Sequence, residues 1–266
     1  MAQKKLCITW LPAQAEGAPT PDAAVAALDS AGFDVFGARW IDDVHKHAWA
    51  ELASGLVEDH AADVWVVAGR KADIAVPTVR WGLSLATAVV RSRRGKTPPH
   101  MLFVGLDFVP QAQDLPVALR KHILIDGQKS WAAKLALAVR GKPDTTRPEG
   151  FWLDAIGHPH IGLWLTVAPA QGEWKGVMFG VSDGAKIQQH GVGPRNELPS
   201  DTVLEYPIDE IQAEIGGVEF LGCACKNTIG PDNAYWVQVN GRPQKLFVGG
   251  YPGDEEPGDA WVLALS

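Results

Sequence analysis

Four groupings in this 266-residue chain carry side chains that could do chemistry. Asp42 and Asp43, with His45 two residues on, join carboxylates to an imidazole, the residue types that move protons in general acid–base catalysis. Arg70 and Lys71 directly follow the apolar run ADVWVVAG and could meet phosphates; Asp73 comes three residues after Arg70, and Asp107 ends a later apolar run. Trp10 and Trp40 end or follow apolar runs of their own, placed to stack on a base. His158-Pro159-His160 and Cys223-Ala224-Cys225 together offer two imidazoles and two thiols, a donor set suited to tetrahedral zinc. Each grouping also has a structural reading. Asp and His are ordinary turn and cap residues, loop cations are ordinarily solvated, and small thiols are ordinarily buried. HxH and CxC depart from the usual CxxC spacing, so no metal is expected.

Other candidates fall away on spacing. Neither GxGxxG nor GxxxxGK[ST] follows the first strand. Ser84 and Ser182 lack the GxSxG elbow of a serine nucleophile. Glu51 and Glu58, seven residues apart, share a helix face and read as a solvated one. The acidic turn GGYPGDEEPGD, with Asp254, Glu255, Glu256 and Asp259, lacks the alternating oxygen spacing of a calcium loop.

The elements that must position these residues divide at about residue 143. Before it, KLCITWL, FDVFGARWI, ADVWVVAG, HMLFVGLD and HILID read as five strands alternating with helical segments, the middle strands apolar enough to be buried on both faces. That alternation predicts a flavodoxin-like α/β domain over residues 1–143, with a five-stranded parallel sheet and helices on both faces. Residues 144–150 are expected to be a linker. Residues 151–266 carry short period-2 runs (IGLWLTVAP, KGVMFGVS, TVLEYPI, VEFLGCAC, AYWVQV, QKLFVG, AWVLALS) and predict a small all-β antiparallel barrel or sandwich. Asn240-Gly241, between AYWVQV and QKLFVG, predicts a tight hairpin.

The first 143 residues hold 17 Lys and Arg against 14 Asp and Glu, and the remainder 7 against 17. An acidic second half and a first half without a clustered basic face argue against nucleic-acid binding. The one basic run, Arg91 to Lys96, falls at a helix end, where cations complement the dipole. Three sparse cysteines, no apolar run of membrane-spanning length and no signal peptide predict a cytoplasmic protein that engages no membrane.

Between Pro77 and Gly95 apolar residues occupy most of a helix's circumference, so this helix is expected to be buried. The order of elements, VVAGRKADIAVPTVRWGLSLA after the third strand, and LPVALRKHILIDGQKSWAAKLALAV resemble a Toll/interleukin-1 receptor (TIR) domain over about the first half of the chain. In that family a helix tryptophan is followed four residues later by a glutamate, which the enzymatic members use to cleave NAD. If Trp81 matches the tryptophan, the glutamate position falls on Leu85, which cannot stabilise an oxocarbenium-like charge.

The sequence therefore predicts a non-catalytic TIR-like protein for interaction or nucleotide sensing. Trp10, Trp40, Arg70, Lys71, Trp81 and Asp107 are its ligand-binding candidates, NAD or another nucleotide its ligand, and a protein partner or homo-oligomer its assembly. The β half would serve recognition or assembly. Two alternatives stay open: an NAD or nucleoside glycohydrolase that draws its acid from outside the Trp81 helix, with Asp43, His45 and Asp73 as candidates, and a purely structural scaffold.

Overall fold

The computed structural model describes residues 3–11, 21–43, 47–59, 61–128, 130–141, 150–252 and 259–265. His45, most of the expected linker and the acidic residues Asp254, Glu255 and Glu256 lie outside the described residues. The chain divides into two compact units, one built mainly from its first 147 residues and one from residues 148–266.

In the first unit, β1 (Lys4–Trp10), β2 (Phe33–Arg39), β3 (Val64–Gly69), β4 (His100–Gly105) and β5 (Ile123–Asp126) form one sheet in the order β2-β1-β3-β4-β5. Every pairing is parallel, so the unit is flavodoxin-like. β3 and β4 are buried along their whole length, the property that their unbroken apolar runs predict. One face carries Leu6, Ile8, Trp10, Val64, Val66, Ala68, Leu102, Val104 and Ile125. It packs against Ala24 and Leu28 of α1 (Pro21–Ser30), Trp131 and Leu135 of α5 (Trp131–Ala138), and Val139 just after that helix. By the two-residue period the other face presents Cys7, Trp65, Val67, Met101 and Phe103, all buried. α2 (Ala48–Ser54), the short α3 (Lys71–Ala75) and α4 (Pro77–Arg94) complete the unit, with α2 and α3 packed on α4. Pro77 opens α4 at its first position and Gly95 ends it with φ +50°. Between β4 and β5 there are only two 3₁₀ turns, at Ala112–Asp114 and Val117–Leu119.

The second unit is wholly antiparallel. β6 (Phe151–His158), β7 (Gly162–Pro169), β12 (Asn233–Gly241) and β9 (Ala185–Pro194) make one sheet, in the order β6-β7-β12-β9. β10 (Ile208–Ile215), β11 (Val218–Ile229), β8 (Trp174–Val181), β13 (Lys245–Gly250) and β14 (Ala260–Ala264) make the other, in the order β10-β11-β8-β13-β14. Asn240-Gly241 does not close the hairpin that the dipeptide predicts. β12 pairs with β7 and β9 while β13 pairs with β8 and β14, so the chain changes sheets at this point. Among the described residues no helix is long and apolar enough to cross a membrane.

Candidate functional site

In an open parallel sheet the ligand crevice forms beyond the carboxyl ends of the strands, where neighbouring strands send their helices to opposite faces. Here that point is the end of β1, between β2 and β3. Backbone bonds tie its neighbours to it: Trp40 N–H donates to the Trp10 carbonyl at 2.8 Å, and Leu11 N–H to the Ala68 carbonyl at 2.9 Å.

The cations after β3 are engaged within the fold. Asp73, only 7% exposed, accepts the Arg70 backbone N–H at 2.9 Å, and its Oδ2 stands 3.6 Å from the Arg70 Nε. Asp107 accepts the Lys71 backbone N–H at 2.9 Å, so it clamps the start of α3. Lys71 Nζ lies 3.7 Å from Asp114 and 6.0 Å above the Phe108 ring, on an otherwise exposed side chain. Asp42 accepts the Thr78 hydroxyl at 2.5 Å, and Asp43 follows it, partly buried.

The three aromatic candidates are buried. Trp10 belongs to the core under α1 and α5. Trp81 meets Trp49 edge-on, with ring centroids 5.6 Å apart. Trp40 lies against α4 where that helix has no side chain: a Cβ on Gly82 would stand 2.7 Å from the Trp40 Cζ2. At this edge two buried nitrogens make no hydrogen bond, Trp40 Nε1 after β2 and Arg70 Nε after β3, the second being only within ion-pair distance of Asp73. A buried unpaired donor costs free energy comparable to a lost hydrogen bond.

α4 itself offers no acid. Leu85 is fully buried, and Ser84, equally buried, donates to the Arg80 carbonyl at 2.9 Å. The cations at its end hold neighbouring segments: Arg93 pairs with Glu58, and Arg94 donates to the Leu56 and Ala62 carbonyls. The Glu58 carboxyl is held below its usual range, first by the Arg93 hydrogen bond.

In the β unit the proposed zinc donors sit apart. His158 and His160 lie at the β6–β7 turn, while Cys223 and Cys225 are buried in β11 of the other sheet. Burial pushes the two thiols up to about 12 and about 11, so they stay protonated and are poor metal ligands. Among the described residues no three His, Cys, Asp or Glu side chains come together to hold a metal.

Two features of this unit escape a reading of the sequence. A cavity of about 810 Å³ opens between the β8–β9 turn and the β10–β11 hairpin, lined by Asp183, Lys186, Glu214, Glu219 and Phe220 among others. A hydrogen-bonded chain joins Asp209, His190, Tyr235 and Cys223 across the two sheets. Both depend on strands far apart in sequence, and no local motif signals either. Compared with known proteins, the chain matches no family model and no curated protein.

Proposed function

We propose that this chain is a non-catalytic, TIR-like sensing protein that takes a nucleotide at the carboxyl edge of its parallel sheet. The observation that carries this reading is the buried Trp40 Nε1, which has no hydrogen-bond partner, together with Arg70, whose buried Nε faces only the Asp73 carboxylate across 3.6 Å, directly after the two strands that flank β1 at the switch point. A ligand bearing acceptor or anionic oxygens would satisfy the Trp40 donor and could share the Arg70 guanidinium with Asp73. Catalysis is set aside on Leu85: the position where the resemblance implies an acid is apolar and has no contact with solvent. Asp73, the most buried alternative acid, is already committed to the Arg70 backbone. Ile41, Val76 and Val109 are exposed on segments that follow β2, β3 and β4, which suits the same edge to a protein partner or a second copy once ligand is bound. The β unit, with its charged cavity, serves recognition or assembly.

Incubation of the intact protein with NAD and a nucleotide panel, followed by melting temperature and nicotinamide release, tests this reading. The expected result is a thermal shift without release, diminished in Trp40→Phe, which removes one donor and keeps an aromatic side chain. Release of nicotinamide abolished by Asp43→Asn or Asp73→Asn would establish the glycohydrolase reading instead. No shift from any nucleotide, with a defined oligomer, would establish a scaffold.

A further inference from the structure

Four side chains from four strands of the β unit form a continuous hydrogen-bonded chain that the proposed function does not use. Asp209 Oδ1 on β10 lies 2.7 Å from Nε2 of His190 on β9. Nδ1 of the same ring lies 2.7 Å from the hydroxyl of Tyr235 on β12. That hydroxyl stands 3.1 Å from Sγ of Cys223 on β11. Exposure falls along the chain: the Asp209 side chain is 71% exposed and that of His190 6%, whereas Tyr235 and Cys223 are buried.

The donor directions follow from the groups. A carboxylate only accepts, so His190 Nε2 carries a proton, and in the neutral imidazole Nδ1 is an acceptor. The single phenolic proton has two acceptors within reach, Sγ of Cys223, to which the hydroxyl donates, and Nδ1 of His190, to which it turns when that nitrogen carries no proton.

This arrangement is poorly suited to nucleophilic chemistry. Burial pushes the Tyr235 phenol far up and the Cys223 thiol up to about 12, so neither becomes an anion readily. None of the four residues lines the 810 Å³ cavity. Loss of an electron is a different matter. A phenol whose proton can turn to an imidazole nitrogen 2.7 Å away can give up electron and proton together, so neither a buried phenolate nor a phenol radical cation has to form. The imidazolium that results faces the Asp209 carboxylate.

We propose that Tyr235 is a one-electron oxidation site, which forms a neutral tyrosyl radical when a diffusible one-electron oxidant takes its electron and the phenolic proton passes to Nδ1 of His190. The oxidant gains one electron, Tyr235 loses one electron and one proton, and His190 gains the proton. In a second step the Cys223 S–H bond breaks and its hydrogen atom forms the O–H bond of Tyr235, which leaves a thiyl radical on Cys223. Electron transfer needs no contact between oxidant and phenol, so a fully buried ring can serve. The chain has 11 tryptophans that compete for the same oxidising equivalent, and Trp236 adjoins Tyr235; the site drains that equivalent away from the indoles.

The test oxidises the full chain with photogenerated trisbipyridylruthenium(III) and follows radicals by electron paramagnetic resonance and transient absorption. A neutral tyrosyl signal is expected, formed more slowly in D₂O and absent in Tyr235→Phe. It persists in the double variant Tyr206→Phe/Tyr251→Phe, which retains Tyr235 as its sole tyrosine. His190→Gln keeps a hydrogen-bonding side chain without a proton acceptor and lowers the yield several-fold. Cys223→Ala lengthens the lifetime several-fold. Tryptophanyl radicals alone, or an undiminished tyrosyl signal in Tyr235→Phe, would overturn the assignment, and an unchanged yield in His190→Gln would overturn the proton step. If Tyr235→Phe does not fold, the double variant decides by itself, since any tyrosyl signal in it belongs to Tyr235 and its absence defeats the proposal.

Discussion

His122 is buried and meets the indole of Trp65 edge-on, with ring centroids 6.2 Å apart. Burial, reinforced by the nearby Arg91 charge, pushes its pKa from the ordinary 6.5 down to about 3. The folded protein therefore holds a neutral imidazole where the unfolded chain would bind a proton. This contribution to stability is complete above about pH 6.5 and is lost progressively as pH falls towards 3. The slope is about 1.4 kcal/mol per pH unit for one proton. Urea denaturation between about pH 7.5 and 5 is expected to show it, and His122→Leu flattens the slope by that amount. An equal slope in the variant would mean that the buried ring is not the group responsible. The same preference for burial explains the aromatic candidates: Trp10, Trp40 and Trp81 sit at or beside strand and helix ends suited to a ligand, but their rings pack into the fold.

At the level of elements, Asn240-Gly241 shows what a local signal contains and what it omits. The dipeptide favours a turn, yet partner choice is a long-range matter, and the strands on its two sides belong to different sheets. Gly241 has φ +98°, and a Cβ there would stand 2.2 Å from the Gly184 carbonyl oxygen, the acceptor of the Arg242 N–H at 2.9 Å. Gly241→Val combines an unfavourable backbone with a backbone clash and is expected to cost the β unit about 3 kcal/mol or more in chemical denaturation. A loss under about 1 kcal/mol would mean that the close approach constrains nothing. The parallel sheet was legible because its central strands are continuous apolar runs and α4 carries Pro77 and Gly95 at its ends. β6 and β9 gave no such pattern. β9 bears Lys186, Gln188, Gln189 and His190, and only Gly191 along it is buried. β10 lies over Ile208–Ile215 rather than at TVLEYPI. His190 and Asp209 sit on these poorly marked strands, so the hydrogen-bonded chain to Tyr235 could not be read from sequence. At the carboxyl edge, Arg70 and Lys71 directly follow β3, Arg70 as the cap of α3 and Lys71 as its first residue rather than in a loop. Asp73 engages Arg70 locally at the start of α3, whereas the contacts of Lys71 with Asp107 and Asp114 depend on segments that only the folded chain brings together.

For the whole molecule, the charge split coincides with a structural one. The first 143 residues have a net charge of +3, from 17 cations and 14 anions, and the remainder −10, from 7 and 17. Each unit encloses its own buried residues, so each can lose its packing separately. Scanning calorimetry is expected to resolve two transitions. Gly82→Ala would force a Cβ to within 2.7 Å of Trp40 Cζ2, an overpacking defect of about 1–3 kcal/mol confined to the α/β unit. It should lower one transition by several degrees and leave the other in place, while Gly241→Val does the reverse. Salt supplies an independent assignment. Self-repulsion among the charges of the −10 unit is relieved by screening, so added salt should raise its transition more than that of the nearly balanced unit. A single transition that moves with both substitutions would show that the units fold as one cooperative body. Two transitions whose salt response ran opposite to the substitutions would show that net charge does not govern the acidic unit's stability.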